Sequence, residues 1–185
     1  CSSDLILPDE GIAIVSSDLQ GNKTDFDRME SIFVRELERG VDAHLLFLGD
    51  LIHGHPDRGP GNWPDWLGPY YDDRSCAIVE RMMELEARYP RRVATLLGNH
   101  EHAQIGGAWL DRFCDGFERD AGERLDTYLQ FFRNLPLVAL APCGLVFTHA
   151  SPALTKPTSR DRLANLDYDG FRDYTMMQML DVEPL

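Results

Sequence analysis

The apolar positions of this chain change period several times, and each change marks an element. Gly11-Ile12-Ala13-Ile14-Val15-Ser16-Ser17 is a short run rich in β-formers that reads as a buried strand, ending in Asp18-Leu19-Gln20-Gly21-Asn22. Phe26, Met29, Ile32, Phe33 and Leu37 then recur at helical spacing behind a capping-box pattern, Thr24-Asp25-Phe26-Asp27, and Gly40 stops the helix. His44-Leu45-Leu46-Phe47-Leu48 predicts a second strand, ending in Gly49-Asp50. From Leu51 to Asp73 the periodicity vanishes among Pro56, Pro60, Pro64 and Pro69. A connection of that length inside a compact domain is usually functional or disordered, and Trp63, Trp66, Tyr70 and Tyr71 favour a packed loop. Ser75 to Tyr89 predicts a helix buried through Ile78, Val79, Met82, Met83 and Leu85, and Pro90 ends it.

Arg92-Val93-Ala94-Thr95-Leu96-Leu97 predicts the central strand, delivering Gly98-Asn99-His100-Glu101 at its carboxyl end. Residues 102–118 read as mixed helix or loop with a break at Gly106-Gly107. Asp120-Ala121-Gly122-Glu123 resembles a second capping box, opening a helix to Asn134. Leu137 to Ala141 and Gly144 to Thr148 predict two strands around a Pro142-Cys143-Gly144 turn, the second ending in His149. Residues 1–10 read as a polar lead-in, and the polar remainder as one or two short helices at 159–166 and 170–180. Strand–helix alternation of this kind predicts an α/β fold: a predominantly parallel sheet with helices on both faces, the 137–141 and 144–148 pair opening a second sheet.

Composition adjusts this picture in three places. A chain of 185 residues that is 43% hydrophobic can bury a real core as one domain. Its formal net charge of −13 argues against a dedicated nucleic-acid backbone binder, and any site that gathers carboxylates would need cations before it could hold an anion. Cys1, Cys76, Cys114 and Cys143 form no Cys-x-x-Cys pair, which weakens zinc-knuckle and redox readings and fits reduced thiols in a cytoplasmic protein. No apolar run approaches the roughly 18 residues of a membrane span. Starting at Cys1-Ser2-Ser3-Asp4, the chain would also allow a lipid anchor on Cys1; a fragment boundary is the plainer expectation.

Four predicted strands thus end in Asp18, Asp50, Asn99 and His149. Each alone has an ordinary explanation, a turn former, a helix cap or a satisfied core histidine. Together, on parallel-type strands, they would gather carboxylate, amide and imidazole donors that suit manganese, iron or zinc better than a soft metal. Two such ions close together acidify a bridging water and clamp both oxygens of an in-line phosphoryl displacement. His100, next to Asn99, is placed to protonate a leaving group.

In order along the chain, Asp18-Leu19-Gln20-Gly21, Gly49-Asp50, Gly98-Asn99-His100-Glu101 and the strand-ending His149 resemble the calcineurin-like metallophosphoesterases. Ser75 to Glu101 resembles most specifically their phosphoprotein phosphatase type, which includes bacterial Ser/Thr phosphatases and symmetrical dinucleoside-tetraphosphate hydrolases. The resemblance implies a two-sheet β-sandwich flanked by helices, with a mainly parallel first sheet. It implies one domain over residues 1–185: a motif-bearing core at 11–150, the loop at 51–73, and an incomplete C-terminal extension at 151–185. It further implies two divalent or trivalent ions, manganese foremost, with Asp18 on the first, Asp50 bridging, and Asn99 and His149 on the second. A metal-bridging hydroxide would then attack a phosphorylated protein or a small-molecule phosphoester, with His100 as the general acid.

The chain departs from that pattern at several positions. Gln20 stands where the family has a metal-binding His, and a neutral amide is a weaker donor. The family's Gly-Asp-x-x-Asp-Arg-Gly is not intact: Gly49-Asp50-Leu51-Ile52 is followed by His53-Gly54, and Asp-Arg pairs come later, at Asp57-Arg58 and Asp73-Arg74. Counting forward favours the first pair; aligning backward from Tyr89-Pro90 favours Asp73 and Arg74, which the resemblance then places in catalysis. His53 and His55 either line the metal site or belong to an ordinary polar loop. Leu97 replaces an Arg frequent in eukaryotic members, and no His follows His149 to supply the family's last ligand, so a truncated C-terminus is expected. Three functions remain in play: a metal-dependent phosphomonoesterase, a dinucleoside polyphosphate hydrolase or phosphodiesterase using the loop aromatics to stack a base, and a degenerate non-catalytic binding module.

Overall fold

The computed structural model describes residues 4–55, 59–106 and 116–150. Six strands form two three-stranded sheets. In the first, β2 (Ile12–Ser16), β3 (Ala43–Phe47) and β4 (Val93–Thr95) run parallel in the order β2-β3-β4. In the second, β1 (Asp4–Ile6) pairs parallel with β5 (Val138–Leu140), which pairs antiparallel with β6 (Val146–Thr148). Helices α1 (Lys23–Glu38), α2 (Ser75–Arg88), α3 (Asn99–Gln104), α4 (Gly116–Ala121) and α5 (Leu125–Arg133) complete the described fold.

β3 is buried along its whole length because both its faces are covered. Leu45 and Phe47 join Phe26 and Phe33 of α1 and Ile78, Val79 and Met82 of α2 in the larger core, where the rings of Phe26 and Phe47 stack at 5.2 Å. Leu46, one residue out of phase, points the other way and meets Leu7, Leu96 and Ala139 between the sheets. The period-2 alternation of one strand therefore makes the two-layered sandwich. Outside the core, Arg81 of α2 grips Glu30 of α1 with Nε at 3.1 and 3.2 Å from its two oxygens. Tyr128 of α5 donates to Glu80 at 2.7 Å.

Several expectations are corrected. The lead-in contains β1, a strand too short to carry a period; it is held by pairing Leu5 with Ala139 and by its packing between the sheets. The strand that ends in His149 lies in the second sheet, as expected, but is antiparallel, so only three of the four strands that end in candidate ligands are parallel neighbours. The N-cap of α1 is Asn22, whose side chain accepts from the Asp25 backbone at 3.1 Å, two residues before the expected Thr24. Asp120 lies inside α4 rather than capping a helix, and the chain passes through a 3₁₀ turn at Gly122–Arg124 into α5. The central strand is regular only from Val93 to Thr95; Leu96 and Leu97 continue it through bonds to Phe47 and Pro136 carbonyls. The predicted helices at 159–166 and 170–180 lie outside the described residues. Among the described residues Cys76 and Cys143 are free thiols, and no helix is long and apolar enough to cross a membrane.

The long loop is packed, as its aromatics predict. Its described part holds two 3₁₀ turns (Pro60–Asn62 and Asp65–Leu67), and Trp63 sets its ring edge-on against Tyr70 at 5.2 Å and Tyr71 at 4.9 Å. The Trp63 indole N–H donates to the Gly68 carbonyl at 2.8 Å. Trp66, by contrast, is 75% exposed.

One side chain ties the exits of β3 and β4 together. The carboxylate of Glu101, fully buried, accepts from the backbone N–H of Asp50 at 2.9 Å, of Leu51 at 2.8 Å and of Gly98 at 3.1 Å. No backbone carbonyl needs to reach these donors, so the two loops can turn away from their strands without leaving orphaned N–H groups. A Glu101→Gln substitution keeps the volume but turns an N–H₂ toward backbone donors. It should cost about 2–4 kcal/mol of stability, read by urea unfolding; an unchanged midpoint would show that the clamp carries little.

A second carboxylate reaches β4. Glu86 accepts from the Thr95 backbone, and burial pushes its carboxyl up to about 7 from 4.5. The native state therefore holds this proton more tightly than the unfolded chain, and stability falls as pH rises from about 4.5 to about 7. Glu86→Gln keeps an acceptor for Thr95 and removes the titration. The variant should match the parent below pH 4.5 and exceed it above pH 7, by on the order of 1–2 kcal/mol. Parallel pH–stability curves would refute the assignment.

Candidate metal centre

The loops after β2 and β3 run side by side because their backbones bond to one another, and Glu101 joins the loop after β4 to them. Asp18 N–H donates to the Gly49 carbonyl at 3.2 Å, Gln20 N–H to the Asp50 carbonyl at 2.9 Å, and Gly21 N–H to the Leu51 carbonyl at 2.9 Å. To keep these bonds while turning, Asp18, Gln20, Asp50 and His53 adopt φ values of 54°, 44°, 54° and 65°. This left-handed region is unfavourable for side-chain-bearing residues and is concentrated at functional loops. The crossing is closest at two glycines. A Cβ on Gly49 would lie 2.5 Å from the Gly98 backbone, and a Cβ on Gly98 would lie 2.3 Å from Asp50 N and Oδ1.

These turns converge the predicted ligands. One ligand atom from each of Asp18, Asp50 and His149 lies within 4.8 Å of the others. Asp18 is exposed and receives the Ser17 hydroxyl, while Asp50 is buried. Asp50 Oδ1 accepts the His100 backbone N–H at 3.0 Å at the start of α3 and lies 3.3 Å from His149 Nε2. Asn99 Oδ1 stands 2.7 Å from the same nitrogen. His149 reaches across from the second sheet, and its Nδ1–H donates to the Leu48 carbonyl at 2.8 Å. That bond turns Nε2 toward the acidic cluster, as in metal-bound histidines, whose far nitrogen donates to a carbonyl or carboxylate.

The electrostatics show what the cluster demands. Burial lowers the affinity of His149 for a proton, but hydrogen bonding to and the charge of Asp50 overrule it and carry the imidazole up to about 9. Burial works against the Asp50 carboxylate too, yet the same pairing, with His100 nearby, holds it below its ordinary range. Burial and then the charge of Asp50 push Glu101 up to about 7 against the pull of its N–H donors. Three carboxylates, Asp18, Asp50 and Glu101, thus bear on a single imidazole, an excess of negative charge. A cation is the chemical fit for such a donor set: two carboxylates, an amide oxygen and an imidazole nitrogen, hard to borderline in character.

His100 lies at the edge of this cluster, its Nε2 3.6 Å from Asp50 Oδ2. Burial keeps its ring below the ordinary imidazole range against the pull of Asp50. Its other nitrogen, Nδ1, faces Nδ1 of His53 at 3.0 Å. Asp73 is engaged elsewhere: it accepts from Ser75 N–H at 2.8 Å, from Ser75 Oγ at 2.5 Å and from Gly54 N–H at 3.0 Å, and so holds the loop that carries His53. Arg74 is exposed, its backbone N–H donating to the Gly21 carbonyl at 2.9 Å. Gln20, half-buried, is fixed through its backbone and receives the Tyr71 hydroxyl on its carbonyl at 3.3 Å. His55 is half-buried, with its ring 6.1 Å from that of Trp63. Asp57 and Arg58 lie outside the described residues.

Three participants had no role in the sequence pattern: Glu101 as the clamp, Ser75 as the hydroxyl that receives the His53 N–H at 2.9 Å, and Gln104 as the amide against His53. The only sequence signal was for Glu101, which stands third in a helix behind Gly98, where a carboxylate can return to the helix start.

The architecture is shared with solved structures, among them the following two. One is a protein serine/threonine phosphatase from Saccharomyces cerevisiae with similarity to human phosphatase PP5, with a TM-score of 0.61 at 20% identity, covering 90% of this chain and 48% of that one. The other is described as a "putative diadenosine tetraphosphatase", with a TM-score of 0.52 at 19% identity, covering 89% of this chain and 63% of that one. The chain thus spans less than two thirds of either protein's length. Residues 13–180 match the sequence profile of the calcineurin-like phosphoesterases, and with that span and this arrangement of loops the chain belongs to the calcineurin-like phosphoesterase family.

Proposed function

We propose that the chain carries the active centre of a metal-dependent phosphomonoesterase of the protein Ser/Thr phosphatase kind. The observation that carries this reading is the convergence of Asp18, Asp50 and His149 within 4.8 Å, with the His100 ring beside them rather than among them. Asp18, Asp50, Asn99 and His149 would hold the ions, with manganese the first choice for this donor set. Bound there, they would supply Lewis acidity and the positive charge that a phosphate ester needs in an acidic cluster.

The chain's own residues divide the remaining work. Asp50 is held in place by the His100 backbone N–H on one oxygen, and the Leu48 carbonyl fixes the His149 ring. Two strained loops and the Gly49–Gly98 crossing hold the ligands before any substrate arrives, which is the preorganisation such a site requires. His100 presents an imidazole nitrogen next to the cluster, where it can pass a proton to the departing oxygen. The resemblance also put Asp73 and Arg74 in catalysis. In this proposal Asp73 supports the His53 loop, and Arg74 is left as the residue to test for phosphate binding.

The exposed faces of Trp66, at 75%, and Tyr70, at 41%, support a second reading, a nucleotide substrate stacked on the loop. Hydrolysis of a phosphomonoester and a phosphodiester, compared with Mn²⁺ and with chelator, decides between the two. Metal-dependent turnover that prefers the monoester is expected. Preference for the diester would select the second reading, and turnover of neither would refute both. His100→Ala should lower monoester turnover by about 10²–10⁴-fold while bound metal is retained; loss of the metal instead would make His100 a ligand.

A further inference from the structure

His53 is a buried imidazole beside the centre that the ligand set does not use. It is 3% exposed, its φ is 65°, and Ser75 Oγ anchors its backbone N–H. The ring stands edge-on to Phe117 at 5.9 Å, which fixes its plane. Its two nitrogens then face two different partners: Nδ1 lies 3.0 Å from His100 Nδ1, and Nε2 lies 2.9 Å from the side-chain amide of Gln104. Two ring nitrogens at that separation share a single proton, so the tautomer of one imidazole dictates that of the other. Gln104 closes the chain with a group that can turn either its nitrogen or its oxygen toward His53.

We propose that His53, itself oriented by Gln104, is the positioning residue for His100, and that the three side chains form one hydrogen-bonded relay setting which nitrogen of His100 faces the metal centre. For its catalytic consequence this rests on the phosphomonoesterase reading. In the direction that supports proton donation, Gln104 offers its amide oxygen to the His53 Nε2–H, and His53 Nδ1 accepts the His100 Nδ1–H. When His100 takes up a second proton, that proton is on Nε2, 3.6 Å from Asp50 Oδ2 and toward the centre. As the ester breaks, the Nε2–H bond breaks and an O–H bond forms on the leaving oxygen. His100 is left neutral, its Nδ1 proton still donated to His53, and no further co-reactant is needed. With the amide nitrogen turned toward His53, the relay runs the other way and His100 is a neutral ring with its proton on Nε2. Burial pushes His53 down to about 3, so it stays neutral and can serve as the acceptor.

Two measurements test the relay. The first needs no turnover: ¹⁵N spectra of the histidine-labelled chain, without metal and with Zn²⁺, should show a nitrogen–nitrogen coupling between the two Nδ1 atoms. Its absence in both overturns the pairing. The second separates positioning from structure through the leaving group. His53→Phe should lower kcat on phosphoserine by about 10²-fold, with KM little changed, and on p-nitrophenyl phosphate by less than about threefold, because nitrophenolate leaves without protonation. His53→Asn, which can still offer an oxygen to His100, should recover part of the phosphoserine rate. Equal losses on both substrates would show a merely structural His53 and sink the proposal. If the unaltered protein hydrolyses neither monoester, it is the phosphomonoesterase reading that falls, and the coupling alone decides whether the relay exists.

Discussion

The centre depends on a close backbone crossing and on the carboxylate that makes it possible. The loops leaving β3 and β4 pass where neither Gly49 nor Gly98 has room for a Cβ, and both loops turn out of their ladders at that point. Three backbone N–H groups would be buried there without acceptors, a burden of about 1–3 kcal/mol each. Glu101 accepts all three and belongs to the helix that begins at the crossing, so the turn, the helix start and the candidate ligands Asp50 and Asn99 form a single rigid unit. His100 inherits its position from that unit.

That arrangement sets the electrostatics. With Asp50 and Glu101 both buried and close together, negative charge accumulates where water cannot disperse it, which raises Glu101 and draws a proton onto His149. The fold accepts this because the strain is local: the stacked Phe26–Phe47 pair and the fully buried β3 lie behind the loops and hold their bases. A site that is short of positive charge while its scaffold is complete is suited to cations.

Much of this was legible in the sequence, and the boundary of legibility is physical. β2, α1, β3 and α2 announce themselves because each carries a full period of apolar residues, and the candidate ligands Asp18, Asp50 and Asn99 follow directly from the strands before them. β1 and the start of α4 were missed, since three residues carry no period and a polar first turn resembles a loop. The relay was not legible at all. Gln104 meets His53 across 51 positions, and His53 meets His100 across 47. Such pairs exist only once the crossing has brought their segments together. The sequence could place an imidazole beside Asn99, but not the side chain that would orient it.

His149 shows why the second sheet is part of the candidate centre and not merely its support. It follows β6, whose antiparallel partner β5 is joined to β1, so its position depends on pairings far from β2, β3 and β4. Its ring is nonetheless fixed by the Leu48 carbonyl, one residue beyond β3. The layer of Leu46, Leu96 and Ala139 between the sheets sets the distance over which His149 must reach, and the hydrogen bond to Leu48 sets its angle. Loosening that layer would move His149 without touching the loops after β2, β3 and β4, so the packing of the sandwich is itself part of the geometry of the candidate metal centre.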